Sequence, residues 1–449
     1  MSRVEPYGIL LVVSLWALVG FGLWALRQRS PLHMPTIALV VTGLVGSFYP
    51  LASTQIEPSS WRNLDLLSPS VVLATQLQYV AFAAGLLGAL LLAANLRWNE
   101  RRDASASSGS STRDLITGGL LVLVGLALYA AYARQVGFAA LTDREDYALK
   151  YLLGRGLGPL QLGMPIMIVG CLWIEASALP RATKNLFLPV ALAICVWSVA
   201  FISVRTNAVV LVVGYLSILA RRKGFELRSI RPWMVASAFL LYAGLESFAL
   251  LRGVYRGDLP EALSRLEAQG ELVFAAAVGG SELSHPFITA GEVLREREAG
   301  ELAGQSIVDG VAACLPRGLS PDRPLYLSEQ FVRSNYAELA ARGGGAAFSL
   351  VAEAWLDFGS VSGPLLFGLA MGMLLAWCER RREDVPDGVL ARLLPYFVFY
   401  VAMQHRNEFG TLFKQVFMIA LVVLPLALVG ETVATALRSG RIAPRREAT

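Results

Sequence analysis

Charge is scarce in this chain, and so are histidine and cysteine. Only 16% of the 449 residues are charged, too few to cover the surface of ordinary water-soluble domains of this length. Three histidines are too few to suggest an imidazole-based metal site. The four cysteines do not form a framework either: Cys171 and Cys195 fall inside apolar runs, Cys378 lies beside a basic cluster and Cys314 stands alone. That pattern excludes a disulfide scaffold and a Cys-x-x-Cys metal spacing. There is also no Gly-rich nucleotide loop and no Asp-x-Asp pair, so a nucleotide-sugar or metal-dependent transferase is not indicated.

What the chain has instead is apolar length. Hydrophobic residues make up 55% and mean hydropathy is +0.54, which predicts an all-α integral membrane protein, because helices in lipid satisfy their own backbone groups. Stretches of spanning length run at 7–26, 35–52, 70–94, 115–133, 157–178, 186–203, 207–220, 232–251, 361–377, 389–404 and 412–430, a polytopic bundle of about 11 transmembrane helices. The first run, Tyr7 to Leu26, is too long for a signal-peptide core and has no small-residue cleavage site before Arg27, so it reads as a retained helix. Arg97-Trp-Asn-Glu-Arg-Arg102 followed by Ala104-Ser-Ala-Ser-Ser-Gly-Ser-Ser111 reads as a basic, then flexible, linker. The expected organisation is helices 1–8 in 1–251, an outer loop with short helices in 252–345, and helices 9–11 with a basic tail in 346–449.

Orientation follows from Lys and Arg near the spans. Clusters at Arg97/Arg101/Arg102/Arg113, Arg181/Lys184, Arg221/Arg222/Lys223/Arg228/Arg231, Arg380/Arg381/Arg382 and Arg438/Arg441/Arg445/Arg446 alternate with poorer connections. Placing them all in the cytoplasm fits eleven crossings, with the N-terminus outside and the C-terminus inside. The net +5 and pI near 9.1 are then topogenic charge and attraction to anionic lipid, with no nucleic-acid partner required. The loop 252–345, the turn at Arg205 and the turn Gln404-His-Arg-Asn-Glu-Phe-Gly410 fall together on the outer face. Helix-scale patterns inside the loop, Leu259-Pro-Glu-Ala-Leu-Ser-Arg-Leu-Glu and Leu325-Tyr-Leu-Ser-Glu-Gln-Phe-Val-Arg-Ser-Asn-Tyr336, predict an ordered segment.

Several polar residues stand out against this apolar background. Arg205, pinned between two apolar runs, is either a snorkelling end-cap or an anion ligand. Arg252 and Arg256 flank the exit of the eighth expected span, where interfacial anchoring and ligand binding are both open. Arg406, beside His405, sits in an outer turn where positive charge is not expected. Such arginines can hold a diphosphate through bidentate, charge-assisted hydrogen bonds. Glu353 lies in an apolar, Gly-flanked stretch, and desolvation there raises its proton affinity toward that of a general base. It can equally be a partner for an arginine, with Asp357 at i+4 as a competitor for either role. His285, in Ser284-His-Pro-Phe, is a second candidate base or a surface residue. Gly343-Gly-Gly345 permits close approach to a ligand or serves as a hinge.

The many spans, the long outer loop after an arginine-bearing helix pair, Leu315-Pro-Arg-Gly ahead of Tyr326, and Gly343-Gly-Gly…Ser349…Glu353-Ala-Trp-Leu-Asp-Phe-Gly359 resemble the Wzy-type polymerases of O-antigen and exopolysaccharide repeat units. The motif-level likeness is confined to the C-terminal 160–190 residues. The family's polar residue before Phe-Gly is here Asp357, which leaves that position's role open. O-antigen ligases have a similar layout. The resemblance implies a GT-C-like fold and metal-independent glycosyl transfer, without a cofactor, at the outer face of the bacterial inner membrane. The substrates would be undecaprenyl-diphosphate-linked oligosaccharides, with membrane lipid and a chain-length regulator protein as further partners. On that reading Arg205, Arg252, Arg256 and Arg406 bind the diphosphate, His405 and Tyr336 contribute to substrate binding, and Glu353 or His285 removes the acceptor proton. A lipid-linked oligosaccharide flippase or other transporter, and a structural partner of a synthase complex, are the alternatives from other classes.

Overall fold

The computed structural model describes residues 6–52, 67–95, 110–142, 153, 156–198, 205–231, 233–234, 284–315, 320, 322–341, 345 and 347–442. Every regular element among these is helical. Fourteen helices carry the argument. The first seven are α1 (Pro6–Ala25), α2 (Met34–Ala52), α3 (Pro69–Asn95), α4 (Ser110–Val136), α5 (Gly163–Ala176), α6 (Leu188–Val196) and α7 (Arg205–Arg222). They are followed by α8 (His285–Glu296), α9 (Gln305–Ala312), α10 (Leu327–Asn335), α11 (Leu350–Phe358), α12 (Ser362–Asp384), α13 (Val389–Ala402) and α14 (Phe409–Ile442).

Seven helices are long and apolar enough to cross a membrane: Tyr7–Ala25, Met34–Leu51, Pro69–Ala93, Ser111–Val136, Gly158–Ala176, Ser362–Asp384 and Phe409–Leu437. Their outward faces are apolar; Leu123 is 64% exposed and Leu428 69% exposed. Surface of this kind is unfavourable in water but neutral against acyl chains, so these helices define a multi-pass membrane protein. The sequence led us to expect about eleven spans. Of the other four, 232–251 lies almost wholly outside the described residues, and 186–203 is described only in part, with α6 inside it. The third, 207–220, falls in α7, which carries Arg221 and Arg222 in its last turn. The fourth is α13, whose 14 residues extend about 21 Å, short of a hydrocarbon core of about 30 Å.

The chain forms two compact units that do not follow chain order. The first comprises 1–99, 223–377 and 401–413; the second comprises 100–222, 378–400 and 414–449.

In the first unit α1, α2 and α3 pack on one another, and α3 lies against the start of α12 with backbones almost touching. Any side chain at Gly368 of α12 would collide with the Phe82 carbonyl of α3, so the small residue sets that distance. The non-spanning helices α8 and α11 pack onto this group. Phe287 of α8 stacks on Tyr49 and Tyr79, with ring centroids 5.4 and 5.6 Å apart.

The second unit is built on the α4–α5 pair, with Leu121, Ile166, Trp173, Tyr396, Ile419 and Val423 in its core. Buried Arg392 donates to Asp114 at 2.8 Å and to Asp387 at 2.9 Å. Asp114 is fully buried, so the guanidinium is what allows a carboxylate to stand there.

Candidate functional site

Two buried carboxylates of the first unit, Glu353 and Glu408, line a small cleft, and a third, Asp357, joins Glu353 through Ser306; the reason is helix capping. The N-terminal N–H groups of a helix have no partner inside it and carry a partial positive charge. At α9 the residue before the first turn is Gly304, and at α10 it is Tyr326; neither supplies a capping side chain. Carboxylates from elsewhere in the chain fill the gap. Asp357 accepts the Ser306 N–H of α9 at 3.3 Å. Glu408 accepts the Ser328 N–H of α10 at 2.5 Å, with the Ser328 and Thr411 hydroxyls donating to its other oxygen at 2.7 Å each. Glu353 accepts the Phe409 N–H at the start of α14 at 2.6 Å.

Glu353 is held in place by its own helix. Ser349 is the extended residue before α11, and its hydroxyl accepts the Val351 N–H at 3.2 Å, a standard N-terminal cap. One turn on, Glu353 and Asp357 share a face at i and i+4. Gly359, at φ +86, ends the helix in a conformation that suits glycine. Glu353, Asp357 and Glu408 are 0%, 2% and 1% exposed.

The Ser306 hydroxyl sits between two of these acids. Its Oγ is 2.8 Å from Glu353 Oε1 and also bonds Asp357 Oδ2. One hydroxyl has one hydrogen to donate. The second contact is attractive when that carboxyl carries its own proton and donates to Oγ, so the Glu353–Ser306–Asp357 arrangement favours a protonated acid. Burial works in the same direction. It pushes Glu353 up to about 8 against the opposing Phe409 N–H and Ser306 hydroxyl, and it also raises Asp357 and Glu408.

The cleft has a volume of about 30 Å³ and is walled by Ser306, Asp309, Gly310, Tyr326, Gln330, Glu353, Glu408 and Gly410, among others. That is room for water and not for a sugar ring. Glycines bring its walls together: a Cβ on Gly310 would stand 2.7 Å from the Gly410 Cα. A buried carboxyl with a pKa near 8 and room for water beside it is equipped for general acid–base chemistry. Among the described residues no group of three His, Cys, Asp or Glu is arranged to hold a metal ion.

The other residues singled out from the sequence take varied places. Arg406 and His405 share a single 3-10 turn, Gln404–Arg406, two residues before Glu408. Arg406 is half-buried there. His405 is in the helix core, between Tyr79 and Phe82 at 5.3 and 5.1 Å. Thr42 donates its hydroxyl to the Ala38 carbonyl and thus accepts from His405 Nε2 at 2.8 Å, which leaves Nδ1 as the bare ring nitrogen. Burial pushes this imidazole down to about 3 and keeps it neutral. His285 opens α8, which packs on α11, and burial lowers its pKa. Tyr336 donates to Glu292 of α8 at 2.6 Å. Arg205 is the first residue of α7 in the second unit, and its side chain lies outside the described residues, as do Arg252 and Arg256 altogether.

Sequence reasoning missed Ser306, Ser328 and Glu408. Glu408 had one readable signal, an acidic residue immediately before a long apolar run, where a helix N-terminus is due. Comparison with protein-family models, with curated proteins and with solved structures finds no match for this chain.

Proposed function

We propose that this membrane protein is a Wzy-type polymerase of undecaprenyl-diphosphate-linked repeat units. The observation that carries the reading is the meeting of three distant segments at one cleft. Tyr326, the Glu353–Gly359 stretch and the Gln404–Gly410 turn are among the residues singled out from the sequence, and each contributes to the carboxyl site or its wall.

In this mechanism the acceptor sugar's hydroxyl, at the mouth of the cleft, gives its proton to ionised Glu353 by way of a water molecule in the cleft. Its oxygen attacks the anomeric carbon of the donor, the bond to the diphosphate breaks, and undecaprenyl diphosphate leaves with the electron pair. The resemblance assigns the stabilisation of that charge to Arg205, Arg252 and Arg406, and losing one such contact would lower the rate by about 10²–10³. Because burial holds Glu353 near 8, turnover rises with pH through that region. The Lys and Arg distribution supports an inner-membrane orientation with the cleft outside, the N-terminus outside and the C-terminus in the cytoplasm.

The test is conversion of purified lipid-linked repeat units into a ladder of longer products by the protein in vesicles. A ladder is expected from wild type, and no ladder from Glu353→Gln or Arg205→Ala at equal protein level. A wild type that leaves single units unchanged ends this reading. The buried acid pair bridged by Ser306 favours a second one, a proton-coupled transporter of lipid-linked oligosaccharide; that protein would move single units across the vesicle wall without joining them. A ligase would instead transfer finished polymer to a different acceptor.

A further inference from the structure

Helix α9 has two faces with opposite characters. Ser306 and Gly310, with Ala313 and Cys314 in the turn that follows, are buried against the carboxyl site. On the other side Val308, Val311 and Leu315 fall on one line at helical spacing, and all three are exposed, Val308 by 61%. Three branched apolar side chains in a row, two on a non-spanning helix and one in the turn after it, are unfavourable against water.

The line does not end with α9. Gly304 lies on it one turn before Val308 and packs on the ring of Phe358, whose nearest atoms are 3.6 and 3.7 Å from a Cβ built there. The Leu302 N–H bonds the Leu356 carbonyl and the Gly300 N–H bonds that of Trp355, each at 3.0 Å, which fastens this approach to the end of α11. Phe358 is itself exposed, and the exposed apolar row continues through Val361 and Leu365 onto α12, a helix of spanning length whose outward face meets lipid. The apolar edge of α9 is thus continuous with a lipid-facing surface.

We propose that α9 is an interfacial helix, lying at the membrane surface with Val308, Val311 and Leu315 in the boundary between headgroups and acyl chains. Its occupant is the bilayer itself. An apolar face of this kind enters that boundary while the polar side remains hydrated. Ser306, on the opposite face, is then fixed at headgroup depth, level with the polar groups of a lipid-borne substrate. The inference holds for any lipid-linked substrate, so it stands or falls separately from the polymerase assay.

The test uses the full-length chain in phosphatidylcholine–phosphatidylglycerol vesicles. On a Cys195→Ser/Cys378→Ser background, with buried Cys171 and Cys314 retained, a bimane probe is attached at Val308→Cys, Val311→Cys or Gln305→Cys, the last on the hydrated rim. Lipids bearing a nitroxide high on the acyl chain should quench the 308 and 311 probes several-fold more than the 305 probe, while aqueous iodide shows the reverse order. Equal iodide quenching at all three positions overturns the proposal. Shielding from iodide without quenching by lipid also overturns it, because a protein would then be covering the face.

Discussion

Replacing Glu353 by Gln tests the physical basis of the site without reference to any substrate. In the fold the side chain is fully buried, and burial moves its pKa from 4.5 up to about 8. Between those values the folded protein holds a proton that the unfolded chain has released. Stability is therefore fully present below 4.5 and falls as pH rises toward 8. At about 1.4 kcal/mol per pH unit, the whole window is worth up to about 5 kcal/mol at alkaline pH. Gln keeps the shape of the protonated acid: its carbonyl can accept the Phe409 N–H and its amide can donate to Ser306 Oγ. It does not ionise, so the penalty disappears. The assay is unfolding of the detergent-solubilised protein followed by tryptophan fluorescence across pH. Wild type and variant should unfold alike at pH near 4.5, with the wild type progressively weaker from there to about pH 8 and the gap constant beyond it. Asp357 and Glu408 are present in both proteins, so the difference reports Glu353 together with its coupling to these two acids. Parallel curves would mean that Glu353 ionises as it does in water, and the case for a desolvated base would fall with that result.

Other substitutions probe the supports. Ser306→Ala removes the hydroxyl between two buried acids and should cost about 1–3 kcal/mol in the same assay. Gly410→Ala places a methyl 2.7 Å from the Gly310 Cα and 3.0 Å from the Tyr326 ring, and should destabilise by about 1–3 kcal/mol; Gly20→Ala, with nothing within 4 Å, should be neutral or gain up to about 1 kcal/mol. In the second unit, Arg392→Met removes the shorter of the two arginine contacts to buried Asp114, leaving Arg113 at 3.4 Å, and should cost up to about 3–5 kcal/mol. Adding Asp114→Asn to that variant should recover most of the loss, and a double variant no more stable than the single would refute the ion-pair account.

The sequence determined the class of this protein, because length and apolarity are local quantities. A run such as Tyr7–Ala25 needs no partner to be recognised as a spanning helix. It also singled out Glu353, since a carboxylate in an apolar stretch is anomalous wherever the chain goes. Tertiary structure decided what that carboxylate meets. Ser306 is 47 residues away along the chain and the Phe409 N–H is 56, and no periodicity connects them. Three helices that lack or need a capping acceptor bring their N-termini to acids supplied from elsewhere, a pairing visible only in three dimensions. The same limit explains His405. Its sequence position, next to Arg406 in a polar turn, reads as exposed, yet the fold closes Thr42, Tyr79 and Phe82 around it. Which face a turn presents is set by the helices that pack against it, and no single stretch of sequence contains that information.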